Sequence, residues 1–574
     1  MPATGDEEAG AEADSPVRGV LDDVRAAFVA LQSSFRSPGL AKAVVAYIAF
    51  TISEWAAFIA LIVYAYQDGG SVRVGLVGLL WMIPAAIVAP IASVLGDRHR
   101  RERVLLFGHG ALAVTMTIAA IALLTQAPPA LVYLAGTAAG WTMTLIRPTH
   151  ASLLPRLART PEELSSAYAG SGLIESASAL VGPVLAGGLM AVAGSTSGPG
   201  LVDAVLAGML AAGTACVATI GIRTEPAHQA GSSGVRVVAS EAVAGIRAIV
   251  RDPRPRVLVL SMGLATVELG FVDVLIVVLA FDVLGTGDAG VGFLTASIGV
   301  GAIVGSTLAV ALALRWRSSA SFRWGVTLSG ASVAGIAAAP GLAGGLLAIS
   351  GVGGALADAN GRMMLQRLIP DKQLSRAFGV LESLYMAGEG IGSFVGSLFI
   401  VAVGPRWTLL IAGSLLPVVA LVGRGALRGL DVGVRIPSHE IETLRSTPIF
   451  EPLPTPILER LARNLVPLTL PSGSVVIRQG DPGDRFYTIV EGSVFVDVDG
   501  RELSTLGPGG SFGEIALLRD VPRTATVTTS TEARFLTLDR EEFLRVVTGH
   551  EPVALAVHGL ADERIRKLES GPDG

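Results

Sequence analysis

The chain of 574 residues is half apolar (51%) and only 16% charged, with a mean hydropathy of +0.60 and a net charge of −5. That hydropathy lies outside the soluble range, and so small a charge gives no argument for a nucleic-acid partner. The lone cysteine, Cys216, excludes an intrachain disulfide or a thiolate cluster, and the seven histidines show no ligand spacing, so no metal is expected. The opening stretch, "MPATGDEEAGAEADSP", is acidic and reads as a solvated tail rather than a secretory signal. Residues 17–37 combine helical apolar spacing with interleaved charges, which predicts a cytoplasmic surface helix.

From residue 43 onward, apolar segments of membrane-spanning length follow one another. They lie near 43–66, 74–96, 103–125, 129–147, 167–193 and 201–222, then near 257–281, 290–314, 322–339, 342–364, 377–403 and 407–425. The expectation is an all-α polytopic membrane domain of about twelve helices in two halves. Its parts are a cytoplasmic tail (1–42), a first half (43–222), a cytoplasmic central loop (223–256) and a second half (257–427), followed by a linker (428–445). Arg98, Arg100, Arg101 and Arg103, then Arg147, Arg156 and Arg159, then the arginines of the central loop, all fall in even-numbered connections. The positive-inside rule therefore puts both termini in the cytoplasm, and the expected location is the cell (cytoplasmic) membrane, with the lipid bilayer as its solvent.

The two halves repeat one another. "ELSSAYAGSGLIESASALVGP" (163–183) overlays "QLSRAFGVLESLYMAGEGIGS" (373–393): Leu164, Ser165, Ala167, Tyr168 and Gly182 fall on Leu374, Ser375, Ala377, Phe378 and Gly392 at one constant offset. "EWAAFIALIVYAY" (54–66) likewise overlays "ELGFVDVLIVVLA" (268–280). Parallel repeats of this kind are a transporter signature.

On these residues the first 430 or so positions resemble the major facilitator superfamily, particularly its multidrug-exporter-like branch. The loop "SVLGDRHRRERV" is similar to that family's motif A, with Asp97, Arg98 and Arg101 at matching places and Ser93 and Arg100 where glycines are usual. The resemblance implies a gating loop there, an aspartate at a helix end latching one conformation. "LVGPVLAGG" is similar to the exporter-associated Gly-Pro motif. No arginine stands midway along the fourth helix, where the family's proton-linked motif would place one; Arg147 reads as too near the cytoplasmic end for that role.

Acidic residues fall inside the predicted spans: Glu54, Glu175, Glu268, Asp273, Glu382 and Glu389, with hardly a cation expected at similar depth. Charges there normally face a cavity or a partner. Glu54 and Glu268 hold matching places in the two halves. Glu382 and Glu389, seven apart, share a helix face. Asp273 sits about 140° round its helix from Glu268, so the two are not expected to cooperate. Glu54, Glu268, Glu175, Glu382 and Glu389 are therefore candidates for a transport cavity or for proton coupling, the structural alternative being hydrogen bonds between helices.

Beyond residue 445 the period changes. "STPIFEPLPTPILERLARNL" reads as a helical lead-in, after which "SVVIRQG", "RFYTIVEG", "SVFVDVDG", "RELSTLG", "TATVTTS" and "ARFLTLD" read as short glycine-punctuated strands of a cytoplasmic β-roll. "DREE" (539–542) is a capping box that opens a helix. Residues 446–574 resemble the cyclic nucleotide-binding domain family, and "FGEIALLRDVPRTATV" (512–527) is similar to its phosphate cassette. The resemblance implies a residue-by-residue grip. Gly513 admits the sugar-phosphate, Glu514 accepts the ribose 2′-hydroxyl, the backbone N–H groups of Ile515 and Ala516 face the phosphate, and Arg523 pairs with it. Thr524 touches the phosphate or a syn purine, and a base lid is expected around Leu560 to Arg564. Cyclic AMP and cyclic GMP both stay open as the regulatory ligand, and no cofactor is implied.

No helix-turn-helix follows the β-roll, and no catalytic set appears, so neither a transcription factor nor an enzyme is expected. The leading expectation is a secondary active exporter of an unknown small molecule, cationic or amphipathic and proton-coupled or not, regulated by a cyclic nucleotide. Two alternatives are a transporter-shaped receptor without turnover and an exporter of the nucleotide itself.

Overall fold

The computed structural model of the chain describes residues 37–98, 100–220, 235–313, 318–369, 371–427, 438–447, 449–450, 453, 455–549, 557, 559–562 and 564. The surface helix expected over 17–37 lies almost wholly outside these. Two compact units divide the chain, Met1–Val434 and Arg435–Gly574.

The first unit is wholly helical among the described residues: α1 (Pro38–Arg98), α2 (Arg101–Leu124), α3 (Pro129–Met143), α4 (Ile146–Leu157), α5 (Pro161–Ala218), α6 (Val235–Arg251), α7 (Pro253–Val278), α8 (Gly287–Ala313), α9 (Ser318–Ile336), α10 (Ala343–Leu368), α11 (Asp371–Val403) and α12 (Pro405–Val422). Among the described residues, ten helical stretches are long and apolar enough to cross a membrane. The first, 51 residues long, is divided by Gly69 and Gly70, whose backbone is not helical; Gly70 has φ 69, where a side chain would be strained. Gly194 (φ 74) separates the two spans of α5 in the same way. The turns expected near 67–73 and 194–200 are thus one- or two-glycine breaks. Helix α9, carrying five buried serines, completes the second half.

The central connection is more ordered than expected. Helix α6 occupies its second part and packs against α11, where a Cβ on Gly245 would lie 2.6 Å from the Arg376 carbonyl oxygen. Ile249 is buried, while Val243, Ile246 and Val250 are exposed on one face.

The two halves of this unit meet along glycine seams. A Cβ on Gly292 would sit 2.7 Å from the Gly187 Cα, one on Gly299 2.7 Å from the Ala179 oxygen, and one on Gly78 2.6 Å from the Ser393 Cβ. Such close backbone approach is how helices gain packing energy where no hydrophobic effect drives them together. At the Gly70 end of the bundle, opposite the arginine-rich loops, polar contacts also join the halves. Tyr66 Oη donates to Asp282 at 2.6 Å, Gln67 Nε2 donates to Asp288 at 2.7 Å, and the Tyr66 and Phe281 rings lie 4.9 Å apart.

The second unit opens with α13 (Ser438–Ser446) and α14 (Thr455–Asn464). The stretch expected as a linker to 445 is therefore already helical from Ser438, because Leu444 is needed in the core of this unit beside Leu458, Leu461 and Phe543. Eight strands follow: β1 (Val466–Leu470), β2 (Val475–Ile477), β3 (Arg485–Glu491), β4 (Val494–Val498), β5 (Arg501–Leu506), β6 (Ser511–Phe512), β7 (Thr526–Thr529) and β8 (Ala533–Asp539). Between β6 and β7 lies α15 (Glu514–Arg519), and α16 (Arg540–Gly549) follows β8. The strands form two antiparallel four-stranded sheets, ordered β1-β8-β3-β6 and β2-β7-β4-β5. Tyr487 pairs with both Phe512 and Thr537, so β3 is the centre on which the cassette strand β6 is registered. A stack of Tyr487 on Phe512, with Phe535 edge-on, fills the space behind it.

Candidate functional site

Two places gather charged side chains. The first lies in the β-roll unit, where β6 turns into α15. Gly513 adopts φ 93, and a Cβ there would be 2.7 Å from Arg523 Nη1, so only glycine fits both the turn and the neighbour. Glu514 is 1% exposed and Arg523 3%. Arg523 Nη1 donates to the Gly513 carbonyl (3.0 Å), and Nη2 donates to the Arg485 carbonyl (2.8 Å) and to Asp484 Oδ1 (3.1 Å). Its guanidinium also lies 5.9 Å from the centroid of the Tyr487 ring. Burial, and next the Asp484 carboxylate, raise the Tyr487 phenol above its ordinary value and keep it neutral.

The backbone around Arg523 is fixed by a reciprocal pair of bonds: its N–H donates to Asp481 O (2.8 Å), and its carbonyl accepts from Gly480 N (2.9 Å). Ile515 and Ala516, both buried, occupy the first turn of α15, whose N–H groups have no partner earlier in the helix. Thr524 follows Arg523 and is half-buried. All six cassette residues read from the sequence are therefore gathered at one corner of the roll.

The sequence reading missed one participant and gave another a different role. Asp484 orients Arg523. Arg564, at the far edge of the segment expected as a base lid, donates from Nη1 to Glu514 Oε1 at 2.7 Å, while Glu514 Oε2 is buried with no hydrogen-bond partner among the described residues. A carboxylate buried this deeply is costly unless it is paired. Arg564 supplies that pairing on one oxygen and leaves the other as an open acceptor. Proximity to "DRFYTIVEG" could have suggested Asp484; nothing local signals Arg564.

The second place is the membrane unit, and here two expectations are corrected. Cations do stand at the depth of the acids, and Arg147 is not too remote: its Nη2 lies 2.7 Å from Glu54 and its Nη1 2.9 Å from Glu175. Tyr47 also donates to Glu175. Second, Glu54 and Glu268 are not equivalent. Glu54 is held by Arg147, whereas Glu268 is buried with Oε1 unpartnered among the described residues. Glu382 and Glu389, seven apart on α11, have different partners. Glu382 pairs with Arg362 at 2.7 Å, and Arg362 also binds Asp358 at 2.9 Å, while Glu389 lies beside Asp273 of α7. Arg362 and Asp358, four apart on α10, were legible as a helical ion pair but were not singled out. In the loop expected to gate, Arg101 donates to the Ser152 carbonyl at 3.0 Å. The side chains of Asp97 and Arg98 lie outside the described residues.

Comparison with known proteins follows the same division. The family model described as Major Facilitator Superfamily matches residues 43–286 and 258–470, and that of the cyclic nucleotide-binding domain matches 467–550. The chain is similar to a cAMP-dependent protein kinase regulatory subunit of Dictyostelium discoideum (47% identical over 94 residues, 15% of this chain and 29% of the relative). It is also similar to a cyclic nucleotide-gated potassium channel of Mesorhizobium japonicum (36% over 123 residues, 21% and 34%). Among solved structures, the regulatory domain of Toxoplasma gondii PKA with cAMP aligns at 24% identity with a TM-score of 0.22, covering 25% of this chain and 56% of that one. The chain thus spans about a third of the length of these two curated relatives.

Proposed function

We propose, on the premise that this chain belongs to the Major Facilitator Superfamily and carries a C-terminal cyclic nucleotide-binding domain, that it is a secondary active transporter regulated by cyclic AMP or cyclic GMP. It is a membrane protein, and neither of its families is enzymatic. The observation that carries the regulatory half is the corner formed by Gly513, Glu514 and Arg523. A buried carboxylate oxygen with no hydrogen-bond partner among the described residues and a buried guanidinium flank the Gly513 turn, an arrangement that a ribose hydroxyl and a cyclic phosphate satisfy together. The names of the two curated relatives, a cAMP-dependent kinase subunit and a cyclic nucleotide-gated channel, support the same ligand class.

The membrane half is read as an exporter of cationic or amphipathic compounds, in the cytoplasmic membrane with both termini inside. Arginine placement supports the orientation, and the acids Glu54, Glu175, Glu268, Glu382 and Glu389 support the substrate class. Titration of the full-length protein in nanodiscs with each nucleotide, followed by flux in proteoliposomes with and without nucleotide on the domain's side, tests both parts. Saturable binding with an altered flux is expected. Binding of neither nucleotide would remove the regulatory reading, and binding without flux of any compound would favour a receptor.

A further inference from the structure

Helix α6 presents three kinds of surface in order around its axis. At about 100° per residue, Gly245 and Ile249 share one face. That face is buried, and Ile249 joins a core cluster with Leu258 of α7 and with Ala377 and Leu381 of α11. About a third of a turn further round lie Val243, Ile246 and Val250, each about half exposed. Beyond them come Arg247 and Arg251, both exposed. A stripe of large apolar side chains left open in this way marks a contact surface.

The stripe stands at the level where spans leave the bilayer. A single residue, Asp252, separates α6 from α7, which opens the apolar stretch Pro253–Val283. The buried face of α6 rests on the beginning of a second such stretch, Arg376–Val403, where Gly245 meets the Arg376 carbonyl. Helix α6 itself is not among the spanning stretches. Its charge is one-sided. Between residues 243 and 256, Arg247, Arg251, Arg254 and Arg256 face one acid, Asp252. That acid is engaged in capping α7, where it accepts the Arg254 N–H at 2.9 Å. All four arginines are exposed, and none has a side-chain hydrogen bond or ion pair among the described residues.

We propose that α6 is a docking site for anionic phospholipid in the leaflet on the arginine-rich side of the protein. Val243, Ile246 and Val250 enter the acyl boundary, and Arg247, Arg251, Arg254 and Arg256 gather negatively charged headgroups. An interfacial helix needs an apolar face toward the acyl chains and cations beside it at headgroup depth, which is the order found around α6. A free phosphate would use the arginines and leave the stripe in water. A zwitterionic lipid would cover the stripe and leave the positive charge unmatched. The site does not depend on what the membrane unit carries.

The test places a fluorophore on Ile246→Cys in full-length protein with Cys216→Ser, in nanodiscs containing nitroxide-bearing phosphatidylglycerol or phosphatidylcholine. Quenching by phosphatidylglycerol is expected to exceed that by phosphatidylcholine about fivefold or more, the contribution of one arginine at an anionic surface. The excess should shrink in the double variant Arg247→Gln with Arg251→Gln, and at high salt. Val243→Ser with Val250→Ser should weaken quenching by both lipids. Thermal unfolding checks that each variant keeps its fold. Equal quenching by the two lipids, or an excess that survives the double Gln variant, would overturn the proposal. Quenching by aqueous iodide in place of either lipid would do the same. Protection from iodide and from both lipids would mean that protein covers the stripe, a second copy for instance, and would overturn it as well.

Discussion

Arg564 and Glu514, fifty positions apart, form an ion pair of 2.7 Å in which the glutamate is almost fully buried and the arginine is partly exposed. The pair ties the last described residue of the chain to the acceptor expected to hold a ribose hydroxyl. Because it engages Oε1 and leaves Oε2 open, Arg564 positions Glu514 rather than displacing a ligand from it. Arg564→Ala is therefore expected to weaken nucleotide binding, and a double-mutant cycle with Glu514→Ala should show a coupling of about 0.5–3 kcal/mol. Additive effects on the calorimetric affinity would show that the pair plays no part in binding.

Arg523→Ala should weaken binding by about 2–5 kcal/mol, as expected for removing one partner of a buried charged contact. Thr524→Ala, at a half-buried position, should cost far less. Arg523 also ties Gly513, Asp484 and Arg485 together, so the variant needs a fold check by far-ultraviolet circular dichroism. Arg523→Lys keeps the charge without the fork and should fall between the two.

Gly513→Ala forces a side chain into φ 93 and against Arg523, at a backbone cost of about 1–3 kcal/mol. Thermal unfolding of the full-length protein should show a lowered first transition, and nucleotide affinity should drop because Arg523 must move. Gly500→Ala also has a positive φ, but nothing lies within 4 Å of its Cβ. It should lower stability without touching affinity.

How far the sequence reveals this molecule depends on the range of each interaction. The spans follow from local hydropathy, and the cassette is legible because Gly513, Glu514 and Arg523 lie within eleven consecutive positions. Pairings such as Glu54 with Arg147 or Glu514 with Arg564 join distant segments, and no local pattern encodes them. Two strands also escaped notice. Strand β1 contains Pro467 and is exposed along most of its length, as suits its edge position, and β6 is only two residues long.

Regulation by a nucleotide requires that it bind one transport state better than another. Coupling of this kind is typically 5- to 150-fold and reciprocal. The Tyr66–Asp282 contact offers a means to fix one state: Tyr66→Cys with Asp282→Cys, joined by a bifunctional thiol reagent in a Cys216→Ser background, would hold that end of the bundle closed. Nucleotide affinity should differ between the crosslinked and free protein by a factor in that range. Equal affinity would mean that the domain binds its ligand without communicating it.

The glycine seams between the halves carry a mechanical consequence. Where Gly292 meets Gly187 and Gly299 meets Ala179, backbone lies against backbone across the boundary. At those points a separation of the halves has no side chain of the glycine to disengage, so close packing there does not itself add a rotamer barrier to opening. Each of these glycines is also a tuning position. A single methyl at Gly292 acts as a wedge, penalising only the conformation in which the faces touch, and so shifts the resting population toward the opposite opening without altering any group that meets a ligand.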